Sequence, residues 1–195
     1  MIIIPDRQAC YIHIPRTGGM ALQSSLEHVF PGAIRHAYGW EHVGAHAVRR
    51  ILPAPDYRVF TVIRNPWSIF ASHWGWVQRY RHTPAATDSV DVGYSLQVES
   101  QLPFPELVRH WLEHDILATG GGFAARYCDR DTTVFRYEDH PWAAIAELLD
   151  CELAMRRENE SLCDPPVWDQ ATSDLVGMYC RGDVQRFAYQ PPRIQ

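Results

Sequence analysis

The sequence predicts an α/β fold in a single domain over residues 1–195, with a mainly parallel central sheet flanked by helices. Three observations lead there. Short β-branched and aromatic runs alternate with longer stretches of helical periodicity. Two of those runs pass into helices through turns suited to a helix N-terminus, Pro15-Arg-Thr-Gly-Gly19 and Asn65-Pro66. A composition of 46% hydrophobic and 12% aromatic residues is enough to fill a core.

In chain order, Tyr11-Ile-His-Ile14 centres a buried strand near 10–14. From Met20 the pattern turns helical, with Leu22 and Leu26 at i, i+4 and Val29 and Phe30 extending the stripe, so a helix is expected near 18–30. A strand near 33–38 and a helix near 41–52 follow, then a strand over 58–63 and a helix over 66–82 opened by Pro66. Helices near 104–118, 141–150 and 169–181 surround a last strand near 132–136. Residues 83–103 read as a long irregular insertion, either the border of a binding cleft or simple padding, and Gly120-Gly-Gly122 reads as a second loop.

The turn after the first strand carries the first chemical signal. A strand, a tight glycine loop and a helix N-terminus form an anion site, because first-turn amides point outward and the helix dipole favours negative charge there. Gly18 and Gly19 let backbone approach a phosphate with no Cβ in the way, and Met20 and Ala21 supply further first-turn amides. Thr17 offers a hydroxyl to an anion or to the helix N-cap. The loop is not G-x-x-x-x-G-K-[ST]. The chain has no lysine at all, its 18 basic residues all being arginine, which disfavours an ordinary phosphate-loop ATPase or kinase. A compositional bias toward arginine is the plainer reading of that absence, with Arg16 in a slot where lysine would serve.

A second signal follows the strand over 58–63. Arg64 stands at its carboxyl end, where open α/β sheets bind ligands. Ser72 lies two turns into the next helix, and an arginine fork with a hydroxyl can clamp a second phosphate.

His-Ile-Pro-Arg-Thr-Gly-Gly (13–19) followed by Arg-Asn-Pro-Trp-Ser-Ile-Phe-Ala-Ser (64–72) resembles the two cofactor motifs of PAPS-dependent sulfotransferases, nearest to the carbohydrate-type and bacterial branch. Phe135-Arg-Tyr-Glu-Asp139, Glu158-Asn-Glu-Ser161 and Asp183-Val-Gln-Arg-Phe187-Ala-Tyr189 resemble later segments of that family. The resemblance implies a P-loop nucleotide-hydrolase-like sulfotransferase fold. It implies PAPS as cofactor and PAP as product, with the 5′-phosphosulfate on Arg16, Thr17, Gly18, Gly19, Met20 and Ala21 and the 3′-phosphate on Arg64 and Ser72. The implied reaction moves a sulfuryl group to a hydroxyl or amine of a carbohydrate or small natural product.

Such chemistry needs a cation beside the leaving phosphate and a base for the acceptor. Arg16 is the cation; relatives usually carry lysine there, which can also offer a proton, whereas arginine stays charged. Among ten histidines, His42 opens a segment that resembles the family's His-x-x-Ala helix and is the expected base, with His46 one turn later and Glu41 as alternatives. Tyr137 is placed against the adenine, or else is an ordinary buried tyrosine, and Arg156 and Arg157 either reach the 3′-phosphate or are solvated. Trp74, Trp76 and Tyr80 stack on an acceptor or pack in the core.

No metal is expected. His42/His46 and His110/His114 are i, i+4 pairs, but neither brings the glutamate of H-E-x-x-H or a third ligand. A net charge of −5 argues against a nucleic-acid partner. No apolar run is long enough to span a membrane and the N-terminus lacks a basic n-region, so a cytoplasmic protein without a signal peptide is expected. Five scattered cysteines fit free thiols in a reducing compartment. Two other functions compete: a non-catalytic PAP- or nucleotide-binding module, and a small-molecule kinase of the P-loop type.

Overall fold

The computed structural model describes residues 1–35, 42–81, 96–114, 121–155 and 164–194. The chain divides into two compact units, Met1–Asn65 with Phe123–Glu160 and Pro66–Gly122 with Ser161–Gln195.

The first unit is α/β. Its strands are β1 (Ile2–Ile4), β2 (Ala9–Ile12), β3 (Ile34–Arg35), β4 (Arg58–Ile63) and β5 (Thr133–Arg136), in the spatial order β3-β1-β2-β4-β5. Its helices are α1 (Gly19–Val29), α2 (Ala45–Ile51), α5 (Phe123–Tyr127) and α6 (Trp142–Leu149). The sheet is mixed, which corrects the expectation of a mainly parallel one. β2 pairs with β4 and β4 with β5 in parallel, but β1 runs antiparallel to both β2 and β3. The cause lies in residues 1–8. Ile2–Ile4 is fully β-branched, and a single 3₁₀ turn, Pro5–Arg7, closed by Gln8 in the left-handed region at φ 44°, reverses the chain at once. A connection that short permits only antiparallel pairing, because a parallel return needs a crossover of a dozen residues or more.

Alternation along the strands fills one face of this sheet with Ile2, Ile4, Ala9, Tyr11, Phe60 and Val62, which pack on Leu22 and Leu26 of α1, on Phe30 just after it, and on Ile145 and Leu149 of α6. Burying each of the larger apolar side chains stabilises the unit by roughly 1.5–3 kcal/mol. Arg7 donates from Nε to the Leu149 carbonyl at 2.7 Å and from Nη2 to the Asp150 carbonyl at 3.1 Å, placing a cation at the C-terminus of α6. Cys10 is buried in β2, and burial pushes its thiol up to about 12, against the opposing N-terminus and Arg49. Cys10, Cys128, Cys151 and Cys180 form no disulfide.

The second unit is helical among its described residues: α3 (Pro66–Gln78), α4 (Phe104–Glu113), α7 (Gln170–Tyr179) and α8 (Arg181–Phe187). Aromatic contacts hold it. Trp67 Nε1 donates to the Ser173 carbonyl at 3.0 Å, and Trp74 meets Phe104 edge-on at 5.6 Å, which in turn meets Trp168 at 4.7 Å. The insertion expected over 83–103 is only partly irregular. Residues 96–99 form a helical turn whose Glu99 is buried and accepts from Trp111 Nε1 at 3.0 Å; its earlier part lies outside the described residues. Asp183, in the terminal segment singled out from sequence, is buried against Gly122, where φ is +117° and a Cβ would meet its carboxylate carbon at 2.5 Å.

Two outcomes follow from the first unit. Gln23 lies on the buried face of α1, fully enclosed, with neither amide atom hydrogen-bonded among the described residues. An enclosed polar group without a partner costs about 1–3 kcal/mol. Gln23→Met, of nearly the same shape, is therefore expected to raise stability by about 1 kcal/mol in urea unfolding; a loss of stability would mean that the amide is paired. Asp129 holds Arg49 of α2 at 2.5 and 3.2 Å. That hydrogen bond is the main cause lowering its carboxyl from 3.8 to about 2, with Thr132 adding and burial opposing. A carboxyl depressed in the folded state adds stability above its unfolded value near 4 and loses it as pH falls toward 2. Asp129→Asn should thus be less stable than the wild type at pH 7, with the gap closing between pH 4 and pH 2 in chemical denaturation.

Candidate functional site: the loop between β2 and α1

β2 leaves the sheet at Ile12, and His13-Ile-Pro-Arg-Thr-Gly turns the chain into α1 at Gly19. Two residues make that turn possible. Arg16 sits in the left-handed region at φ 64° and Gly18 at φ 79°. For a side chain other than glycine this backbone costs energy, about 1–2 kcal/mol, and persists only where the surroundings enforce it. Arg64 supplies part of that enforcement, with Nη1 donating to the Arg16 carbonyl at 3.2 Å. Thr17 is buried, and its hydroxyl donates backward to the Ile14 carbonyl at 2.8 Å rather than capping the helix. The N-cap of α1 is Gly18, without a side-chain bond. The first backbone bond into the helix runs from the Leu22 amide to the Gly18 carbonyl, so the amides of Gly19, Met20 and Ala21 have no helical carbonyl one turn back.

The space left by the two missing Cβ atoms belongs to protein side chains. A Cβ on Gly18 would meet Tyr137 Cε2 at 2.9 Å, and one on Gly19 would overlap the imidazole of His13. Tyr137 begins the 3₁₀ turn Tyr137–Asp139 directly after β5. The Arg64 guanidinium lies 4.7 Å from its ring centroid, and Trp142 meets the ring edge-on at 5.9 Å. A cation over an aromatic face contributes from about 0.5 to 2 kcal/mol as water is excluded. The backbone N–H of Asn65, next to Arg64, donates to Glu138 Oε1 at 2.7 Å, which fixes the exit from β4.

Arg64 is the electrostatic centre of the loop. Burial lowers its guanidinium from the ordinary value, with Tyr137 and Glu138 opposing, yet arginine remains charged. Among the described residues no carboxylate forms an ion pair with it. A half-buried cation beside outward-pointing amides is a physical demand for an anion.

His42 is exposed, and its ring lies 4.7 Å from the buried ring of His13 at 59°. Its Nδ1 is 3.0 Å from the His13 carbonyl. A carbonyl only accepts, so Nδ1 carries the proton and Nε2 keeps the lone pair. The helix expected over 41–52 begins only at Ala45, so His42 precedes it and shares no helical face with His46, which is exposed on α2. The reason is local: His42 is drawn back onto the end of β2, and Gly44 is extended where a Cβ would meet the Arg126 carbonyl at 2.8 Å.

The structure thus gathers Arg16, Thr17, Gly18, Gly19, Met20, Ala21, Arg64, Tyr137 and His42 within the first unit. Ser72 lies half-buried in the middle of α3, in the second unit. Trp76 meets Tyr80 at 5.4 Å there, and His110 meets His114 ring to ring at 4.6 Å. Glu41, Arg156, Arg157 and residues 158–161 lie outside the described residues. Sequence reasoning missed His13, which read only as a strand residue; the signal was its position in His-Ile-Pro-Arg-Thr-Gly-Gly, six residues before a glycine that must admit its ring. No helix among the described residues is long and apolar enough to cross a membrane. No protein-family model, curated protein or solved structure matches this chain.

Proposed function

We propose that this protein is a PAPS-dependent sulfotransferase that moves a sulfuryl group to a hydroxyl or amine of a carbohydrate or small natural product. One observation carries the reading: a half-buried Arg64 with no carboxylate partner among the described residues, bonded to the same loop whose helix offers the free first-turn amides. Two anion-seeking features side by side suit a nucleotide with phosphates at both ends, and the order of motifs along the chain supports PAPS in particular.

PAPS supplies an activated sulfuryl group and leaves as PAP. The chain's own residues do the rest. The amides of Gly19, Met20 and Ala21 hold the 5′-phosphate end, and the Arg16 guanidinium balances the charge that develops there. Arg64 holds the 3′-phosphate. Thr17 acts mainly through its bond to Ile14, which shapes the loop. Tyr137 backs Arg64 and limits where the adenine lies. His42 takes the acceptor proton at Nε2, since its Nδ1 proton is committed to the His13 carbonyl. His46 and Glu41 are the alternative bases.

A second reading has one observation in its favour. Arg16 cannot give up a proton, so a site with arginine in this place suits PAP binding without transfer.

Calorimetry with PAP, ATP and AMP, without added metal, tests the cofactor. PAP should bind tightly and selectively, and Arg64→Ala should weaken it by about 2–5 kcal/mol through loss of a charge-assisted contact. Equal affinity for the three nucleotides would remove the basis of the assignment. With PAPS and a panel of acceptors, His42→Ala should abolish turnover while PAP affinity stays close to that of the wild type. Turnover that survives would place the base elsewhere, and selective PAP binding with no transfer by the wild type would favour the binding module.

A further inference from the structure

The most enclosed ionisable group of the loop has no part in the scheme above. His13 is 4% exposed, and its imidazole is bounded on three sides by named groups. Tyr11 stacks on it at 6.3 Å from the strand below. The first residue of α1 presses on it so closely that only glycine fits at position 19. His42 covers it at 4.7 Å, while the carbonyl of the same residue accepts the His42 Nδ1 proton at 3.0 Å. Backbone and side chain of one residue therefore both touch His42, one through a hydrogen bond and the other through a ring contact.

We infer that His13 is the positioning residue for His42, and that Gly19 is glycine in order to admit it. The inference rests on the reading of His42 as the base. A lone hydrogen bond to a carbonyl leaves an exposed imidazole free to swing about that bond or to flip and present Nε2 in its place. The buried His13 ring closes off that freedom. It supplies a surface against which the His42 ring settles at one angle, with Nδ1 inward and Nε2 toward solvent. Because His13 is itself clamped between Tyr11 and Gly19, the base is fixed to the same helix turn that offers its amides to the anion. A shift of α1 at Gly19 would move His13 and, through it, His42. Reacting groups must be held within tenths of an ångström for such catalysis, so this indirect contact matters to rate without touching substrate.

The test uses the full chain labelled with ¹⁵N at histidine. Long-range ¹H–¹⁵N spectra report the tautomer of His42 directly, with no need for turnover. The wild type should show a single Nδ1–H tautomer. His13→Ala should mix the two tautomers, while His13→Phe, which refills the slot with a ring and guards against a general loss of folding, should restore the single one. In PAPS turnover, His13→Ala should lower kcat by about 10–100-fold, as for partners that orient a reacting group, with KM for PAPS unchanged within about two-fold. An unaltered His42 tautomer in His13→Ala overturns the inference, as does a failure of His13→Phe to restore it. If the wild type transfers nothing from PAPS and its single tautomer is still lost in His13→Ala, the pairing stands and the assigned activity falls.

Discussion

The parallel ladder between β2 and β4 ends in register, with Ile12 opposite Thr61, and Thr61 closes it by donating its hydroxyl to the Ile12 carbonyl at 2.8 Å. Both strands therefore run out toward the same edge of the sheet, one into His13–Gly18 and the other into Arg64 and Asn65. Everything at the site depends on this. Arg64 reaches the Arg16 carbonyl because its strand stops beside the strand that feeds the loop. The left-handed Arg16 backbone is tolerated because a neighbour holds its carbonyl. β5 extends the parallel part of the sheet by one strand, so Tyr137 emerges at the same edge and its ring comes to lie on Gly18 and under Arg64.

The glycines carry a double burden. Phosphate loops need glycine so that backbone amides can come close to an anion. Here the missing Cβ atoms also make room for the Tyr137 ring and the His13 imidazole. The loop is packed tightly from beneath by aromatic groups, which is what a strained backbone requires to keep its shape. Arg64 lies on one of those rings, which holds the guanidinium without neutralising it.

Several features were legible in the sequence for plain reasons. The strand over 58–63 shows itself by an unbroken β-branched and aromatic run, and helix α1 by the i, i+4 spacing of Leu22 and Leu26. The strand–loop–helix around Gly18 and Gly19 is visible because proline and paired glycines between an apolar run and a helical stripe mark a tight turn into a helix N-terminus. Other features were illegible for equally plain reasons. Ile2–Ile4 is too short to declare a direction, and the antiparallel turn that makes the sheet mixed depends on Gln8 adopting φ 44°, which no pattern announces. The start of α2 at Ala45 follows from a close backbone approach at Gly44. Residues 96–99 fold as a helical turn because a buried Glu99 finds Trp111, a partner twelve positions on.

By itself the sequence determined the α/β character of the first unit, the strand–loop–helix around Gly18 and Gly19, and the residue types gathered there, because short-range periodicity and turn chemistry act over a few residues. Only the tertiary structure decided the mixed order of the sheet, the bond from Arg64 to the Arg16 carbonyl, the stacking of Arg64 on Tyr137 and the meeting of His13 with His42. Those contacts join residues 29 to 73 positions apart, and strand register, not local pattern, sets which of them touch.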